Sequence, residues 1–355
     1  MLDLSFYGGR RVLVTGHTGF KGAWLCRVLK NAGANVVGFA LSPPTAPSLF
    51  EVARIDCDVS GVIGDVRDFE VLLRCFEKAE PEIVIHLAAQ PIVLEGYKDP
   101  KYTYECNVMG TVNVLECVRR TSSVKSFLNV TTDKVYKNNE WEWGYREIDA
   151  LDGFDPYSNS KSCAELVTHS YRDSFLSAQG VAVSTARAGN VIGGGDFAPD
   201  RIIPDCVRAA IDGRDIAVRN PYSIRPYQHV LEPIFAYLYI AQRQYKDATY
   251  SGYYNVGPDE CDCVSTGKLA ELFCREWGGV VWINKYRGGP HEASFLKLDC
   301  SRLKSALGWR PVWNIDSAMR AVVEWSRVWA TGGNVRACMD MQIEKFVEES
   351  DWIVR

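Results

Sequence analysis

Between residues 11 and 187 the chain alternates short apolar runs with stretches of helical periodicity, and this rhythm leaves few folds open. Arg11-Val12-Leu13-Val14-Thr15, Val36 to Ala40, Val59 to Ile63, Ile83-Val84-Ile85-His86-Leu87 and Phe127-Leu128-Asn129-Val130 read as five strands, with Val181 to Arg187 as a sixth. Helical patterns lie between them. Ala23 to Leu29 stops at Asn31-Ala32-Gly33, and Phe69 to Ala79 follows Asp68, a ready cap. A longer pattern runs from about Lys101 to Arg120, and another opens at Pro156. The run Ile83 to Leu87 is almost wholly apolar, as expected of a strand covered on both faces. The expected fold is α/β, a doubly wound parallel sheet. Such sheets bind ligands beyond the carboxyl ends of their strands. Gly16, Asp65, Ala89 and Thr132 stand at such ends and should converge on one edge.

After residue 188 the rhythm loosens into the loop Gly189 to Asp196 and shorter segments rich in aromatics, arginine and glycine. Residues 1–187 are therefore expected to form one domain and 188–355 a second, smaller mixed α/β region that holds substrate, with some segments free to return to the first. Arg201, Arg219, Arg225, His229, Arg287 and His291 stand beside glycine, proline and aromatic loops there. Each alone reads as a surface charge; together they are candidates for an anionic, diphosphate-bearing ligand.

The composition is that of a soluble globular protein, 47% hydrophobic and 24% charged over 355 residues. A net charge of −4 provides no field for nucleic acid. Met1 to Gly9 lacks the apolar core of a signal peptide and no run approaches membrane-spanning length, so a cytoplasmic protein with no membrane partner is expected. None of the 12 cysteines has the two-residue gap of a zinc or redox pair; the nearest approach is Cys261-Asp262-Cys263. Most sit in apolar segments, so they read as small core residues and no metal is expected.

The first strand runs directly into Gly16-His17-Thr18-Gly19-Phe20-Lys21-Gly22 and then a helix. Glycines let the backbone approach a pyrophosphate closely, and a helix amino terminus offers free N–H groups and a favourable dipole. A glycine turn alone is usually only a turn; between strand and helix it points to a dinucleotide. No acidic residue between Phe39 and Phe50 stands ready for an adenosine ribose, though Ser42 could substitute, and no arginine is there for a 2′-phosphate. NAD is expected over NADP. Asp65 is either a turn carboxylate or an acceptor for the adenine amino group, and Ala88-Ala89-Gln90 leaves room for the cofactor. His86 reads as a satisfied core histidine. Asn107 is either a helix-packing amide or a residue that holds its helix near the site.

The catalytic candidates lie between Phe127 and Lys161. The fifth strand ends abruptly in Thr131-Thr132-Asp133-Lys134, and Pro156 opens a helix that carries Tyr157 and Lys161 on one face. An ammonium beside a phenol favours the phenolate, which makes Tyr157 a candidate base at neutral pH. Spacing alone supports little, because roughly one such match is expected by chance in a chain this long. Tyr97 and Lys101 are that match, with Pro100 between them disfavouring a continuous helix.

Gly16-x-x-Gly19-x-x-Gly22, Leu87-Ala88-Ala89 and Tyr157-x-x-x-Lys161 together resemble the extended short-chain dehydrogenases/reductases over nearly the whole chain, which implies a Rossmann-type fold. Asn190, Arg201-Ile202-Ile203-Pro204 and Arg225 to Glu232 resemble the nucleotide-sugar branch. Gly16 to Gly22, Thr131 to Tyr136 and Gly289-Pro290-His291-Glu292-Ala293 are similar to the CDP-glucose 4,6-dehydratases. Lys134 stands where the dTDP-glucose enzymes carry Glu, and 4-epimerases lack the Asp133-Lys134 pair.

The resemblance implies a lyase that uses NAD on CDP-glucose, in dideoxysugar and O-antigen biosynthesis, assembled as a homo-oligomer (dimer or tetramer). Its implied cofactor contacts are Gly16, Gly19, Phe20, Lys21, Gly22, Asp65, Val66, Leu87, Ala89, Tyr157 and Lys161. Its implied substrate contacts are Gln90, Asn190, Arg201, Arg219, Arg225, His291 and Glu292. Tyr157 would take the 4-hydroxyl proton, Thr132 would hold O4, and Asp133 would protonate the departing 6-hydroxyl. Lys134 is a neutral base at C5, a cation that stabilises the enolate, or simply Asp133's partner; the base is the favoured role. Other readings are a different nucleotide-sugar dehydratase, a 4-epimerase, or a non-catalytic NAD sensor. The last is expected to have lost the tyrosine or lysine, and both are here.

Overall fold

The computed structural model describes residues 1–285 and 295–355. Its centre is a seven-stranded, all-parallel sheet. In chain order the strands are β1 Arg11–Thr15, β2 Asn35–Ala40, β3 Ser60–Ile63, β4 Ile83–His86, β5 Ser126–Val130, β6 Ala182–Ala188 and β7 Tyr253–Val256. Across the sheet they lie in the order β7-β6-β5-β4-β1-β2-β3. The order reverses between β1 and β4, and ligands bind at such a switch point.

The first six strands are those expected from the apolar rhythm. The seventh comes from beyond residue 188 and pairs with β6 from Tyr253 opposite Thr185 to Val256 opposite Ala188. It is four residues long and lies between Gly252 and Gly257, too short a run for periodicity to reveal.

Helices cover both faces. α1, Phe20–Asn31, buries Trp24, Leu25, Val28 and Leu29; α2, Phe69–Ala79, is capped by Asp68. The expected helix from Lys101 to Arg120 is a short helix Pro100–Tyr104, a π turn Glu105–Met109, and α3, Gly110–Arg120. α4, Pro156–Tyr171, follows β5, and α5, Leu231–Lys246, packs on β5 and β6. One core cluster lies on the α1 and α5 side of the sheet and another, with Phe39, Leu72, Val114 and Phe127, on the opposite side.

A further cluster, including Cys206, Ile216, Phe273, Met319 and Val322, belongs wholly to the later residues. The last helix, Val335–Glu349, returns to the amino-terminal half. There Arg27 bridges Asp58 and Asp340, at 3.1 and 2.7 Å, and Arg336 reaches Asp58 at 2.6 Å. All twelve cysteines are free thiols. Among the described residues no helix is long and apolar enough to cross a membrane, and no cluster of His, Cys, Asp and Glu is arranged to hold a metal.

Candidate active site

β5 ends at Val130, and the chain passes through Thr131 and Thr132 into a single 3-10 turn, Asp133–Val135. The Thr132 hydroxyl accepts from the Lys134 N–H at 3.4 Å and donates to Asp133 Oδ1 at 3.0 Å. Lys134 Nζ donates to the same oxygen at 2.9 Å and to Asn190 Oδ1 at 3.2 Å. Asp133 is wholly buried, and its Oδ2 has no hydrogen-bond partner among the described residues. A buried carboxylate oxygen left open is costly, which marks it as a group that meets a ligand.

α4 supplies the second half of the site. Asp155 caps it, accepting from the Ser158 N–H at 3.1 Å, and Pro156 occupies its first turn. Tyr157 and Lys161 follow one turn apart, both buried. Lys161 Nζ donates to the carbonyl of Val130 at 3.3 Å, which ties the helix to the end of β5. Burial lowers the Lys161 pKa to about 8. Burial also raises Tyr157 to about 12, against a hydrogen bond with Thr132 and with the Asp133 carboxylate adding to the rise. The phenol was expected to shift towards phenolate beside Lys161; desolvation of the buried ring outweighs the charges around it.

At the switch point Gly16 has a φ of +77°, and a Cβ there would meet Ala88 N at 2.8 Å. A Cβ on Gly22 would lie 2.1 Å from the Gly16 carbonyl oxygen. The turn, α1 and the loop after β4 therefore pack at backbone contact, and no side chain caps the N–H groups of α1. This close-packed cradle fits a dinucleotide pyrophosphate. His17 is buried above it, with neither ring nitrogen hydrogen-bonded among the described residues, and Phe20 follows at the start of α1. Lys21 faces the Asp133–Val135 turn: burial lowers its pKa to about 7, Arg201, Lys161 and Lys134 push the same way, and Asp133 opposes them.

The loop after β4 is fixed on both sides. Thr15 Oγ1 accepts from the N–H groups of Leu87 and Ala88 at 3.1 and 3.2 Å, with Ala89 next in line. Asn107, in the π turn, accepts from Gln90 N at 2.8 Å and donates to Gln90 O at 3.1 Å and to Ser160 Oγ at 2.9 Å. It is therefore both a packing amide and the link from its helix to α4. Gln90's side chain is occupied by Thr103 and the Ile92 N–H, at 2.9 and 2.6 Å. His86 is hydrogen-bonded at both ring nitrogens, to Thr15 and Thr111, as a core histidine.

Other candidates stand apart from this centre. Asp65 is held by Arg67, at 2.7 Å, and the buried Val66 packs under Gly110. Arg201 pairs with Asp196 at 3.0 Å, yet its charge reaches Tyr157 and Lys21. Arg219 is spent on Asp200 and Asp205, at 2.8 and 3.5 Å, and is largely exposed. Arg225 is buried and donates to the Ile224 carbonyl at 2.9 Å, in a strand that bridges to Phe295. Arg287, His291 and Glu292 lie outside the described residues. Tyr97 and Lys101 fall on two helices that break at Asp99, and Lys101 pairs instead with Glu105 at 2.9 Å.

Sequence reasoning passed over Glu165 and Arg187. Glu165 lies one turn beyond Lys161 on α4 and meets Arg187 of β6 at 2.9 Å, both fully buried. The available signal was a charged arginine in a strand of the sheet's interior, which needs a buried partner.

The sequence profile described as GDP-mannose 4,6 dehydratase matches residues 13–322. The chain is 46% identical to a CDP-glucose 4,6-dehydratase of Salmonella typhimurium, over 98% of this chain and 99% of that one. A dTDP-glucose 4,6-dehydratase of the same organism is 24% identical over 89% of this chain and 92% of its own. Among solved structures, a UDP-glucose 4-epimerase from Thermotoga maritima superposes with a TM-score of 0.78 at 20% identity, covering 89% of this chain and 98% of the other. A dTDP-glucose 4,6-dehydratase from Bacillus anthracis, in complex with NAD, gives 0.74 at 20% identity, covering 90% and 97%.

Proposed function

The chain belongs to the GDP-mannose 4,6-dehydratase family, and from that membership we propose that it is an NAD-dependent hydro-lyase converting CDP-D-glucose to CDP-4-keto-6-deoxy-D-glucose. Near-full-length kinship to a CDP-glucose 4,6-dehydratase supports the substrate and the reaction. The observation that carries the reading beyond simple oxidation is the Asp133–Lys134 turn beside Tyr157 and Lys161, with one Asp133 oxygen left open.

Bound NAD⁺ supplies the acceptor of the C4 hydride and, once reduced, the donor that returns it to C6. The glycine turn with Phe20 and Lys21, together with Asp65, Val66, Leu87 and Ala89, is the proposed holder of the dinucleotide. Tyr157 takes the O4 proton while Thr132 holds that oxygen, and the Lys161 ammonium favours the phenolate against the cost of burial. With C4 a ketone, the C5 proton becomes acidic.

Asp133 and Lys134 then act as one unit. A proton passed along their 2.9 Å hydrogen bond leaves an amine facing C5 and an acid facing the 6-hydroxyl. Lys134 takes the C5 proton, Asp133 gives its proton to the leaving hydroxyl, and water departs. Lys134 then returns a proton to C5 as C6 is reduced, and the proton that Tyr157 took from O4 passes through solvent to Lys134, which restores the starting phenolate and ion pair. Asn190, Arg201, Gln90, Arg219, Arg225, His291 and Glu292 are the proposed substrate side, with Asn190 orienting Lys134.

Replacing Lys134 with Met tests this assignment. The variant should still form NADH from CDP-glucose but lose solvent-deuterium exchange at C5, with turnover down roughly 10²–10⁴-fold. Normal C5 exchange would remove Lys134 from the role. Assays with CDP-, dTDP-, UDP- and GDP-glucose distinguish this reading from the other dehydratases, and absence of any turnover would leave a nucleotide-binding protein.

The chain is further proposed to work in the cytoplasm, in keeping with twelve free thiols, and to form a homo-oligomer. Pairing would run along α3 and α4, which pack side by side and expose Tyr104, Met109, Leu166 and Phe175 around them.

A further inference from the structure

Thr132, Asp133 and Lys134 are bounded on both sides by residues that reach the same buried ion pair. Before them, Thr131 Oγ1 donates to Glu165 at 2.5 Å. After them, the Tyr136 hydroxyl accepts from Arg187 Nη1 at 2.9 Å and donates to Asn255 Oδ1 at 2.6 Å. Glu165 and Arg187 close the loop between these arms with their 2.9 Å bond, and Thr185 Oγ1 adds a further donor to Glu165 at 2.7 Å. Glu165 sits on α4, the helix that carries Tyr157 and Lys161.

We infer that the Glu165–Arg187 pair is a positioning device for the dehydration step: it sets the Asp133–Lys134 turn at a fixed height against the helix that performs the oxidation. The inference rests on the roles proposed above for Asp133 and Lys134.

A buried pair costs desolvation that well-packed apolar side chains would avoid, so its presence needs a reason other than stability. Its geometry gives one. Tyr157 and Lys161 are rigid with α4 and are placed without it. The 3-10 turn has three residues; among the described residues its other ties to α4 are Lys161 to the Val130 carbonyl at 3.3 Å, Tyr157 to Thr132 and the Ser162 hydroxyl to Val135 O at 2.7 Å, and none of these carries a charged side chain across to β6. Oxidation is therefore expected to tolerate a loosened pair, while C5 deprotonation and loss of water are not. Displacement of a catalytic group by about 1 Å can cost about 10²-fold in rate.

Two substitutions remove the arms and leave the ion pair intact. Thr131→Val cuts the link to Glu165, and Tyr136→Phe cuts the link to Arg187. Ser184→Ala serves as the control: it deletes a buried hydrogen bond of similar kind, to Gln244, on the same strand as Arg187. CDP-6-deoxyglucose isolates the first half-reaction, because it can be oxidised at C4 but has no 6-hydroxyl to lose.

Each arm variant should form NADH from CDP-6-deoxyglucose within about twofold of the parent enzyme and keep the KM for CDP-glucose. Its kcat for dehydration and its C5 deuterium exchange should fall roughly tenfold to a hundredfold. Ser184→Ala should change neither ratio at matched thermal stability. Equal loss of both half-reactions, or parental partition in the arm variants, overturns the inference. If Thr131→Val does not fold, Tyr136→Phe decides by the same two outcomes. Lys134→Met run alongside separates the failures: normal dehydration in that variant means the reading of the turn itself is wrong, whatever the arms do.

Discussion

Lys161 illustrates how one residue's surroundings set both chemistry and stability. Its ammonium titrates near about 8 in the fold, against an ordinary 10.5, because it is buried. At neutral pH it is therefore still charged, as its proposed role beside Tyr157 requires. Between pH 8 and 10.5 the unfolded chain holds a proton that the folded chain has released, so this contribution to stability rises with pH and is lost as pH falls through about 8. Tyr157, raised from 10 to about 12, pulls the other way only above pH 10. Urea midpoints from pH 8 to 10 should therefore show the native protein gaining about 2 kcal/mol relative to Lys161→Met. A flat difference would mean Lys161 is not desolvated in the fold. The pair of Tyr157 and Lys161 was readable from spacing once a strand end preceded it, and the same test dismissed Tyr97 and Lys101. The direction of Tyr157's shift was not readable, because burial is a property of the assembled site. Glu165 and Arg187 were hidden for the same reason: their partners come from three separate stretches of chain.

At the scale of elements, strand and helix positions followed from apolar rhythm and from caps such as Asp68 and Asp155. The π turn Glu105–Met109 did not, since one extra residue in a helix leaves no mark on a pattern read at 3.6 residues per turn. That turn aims Asn107 at both Gln90 and Ser160, and it also turns Met109 outward, where it is half exposed. With Leu166 of α4 it forms part of the proposed pairing face. Replacing both with Glu should shift the protein to monomers in sedimentation velocity while its helix content is kept. An unchanged sedimentation coefficient would place the contact elsewhere.

The whole molecule is less divisible than its sequence implies. β7 arrives from beyond residue 188 to cover β6, and Asn255 on it accepts from Tyr136 next to the Asp133–Val135 turn. A fragment of residues 1–187 would leave the edge of β6 bare and Arg187 without Tyr253 beside it. Such a fragment should aggregate or melt without cooperativity; a cooperative transition like that of the full chain would show that the first domain is independent. The first six strands, the glycine turn and the helix carrying Tyr157 and Lys161 were legible because each is marked by its own local pattern. The seventh strand was not, because four residues between two glycines leave too short a pattern to read. CDP-[4-²H]glucose turned over in ordinary water separates dehydration from every competing reaction. The keto sugar product should carry its deuterium at C6, as read by NMR. Deuterium retained at C4 of an epimerised sugar, or no keto sugar at all, would contradict the dehydration.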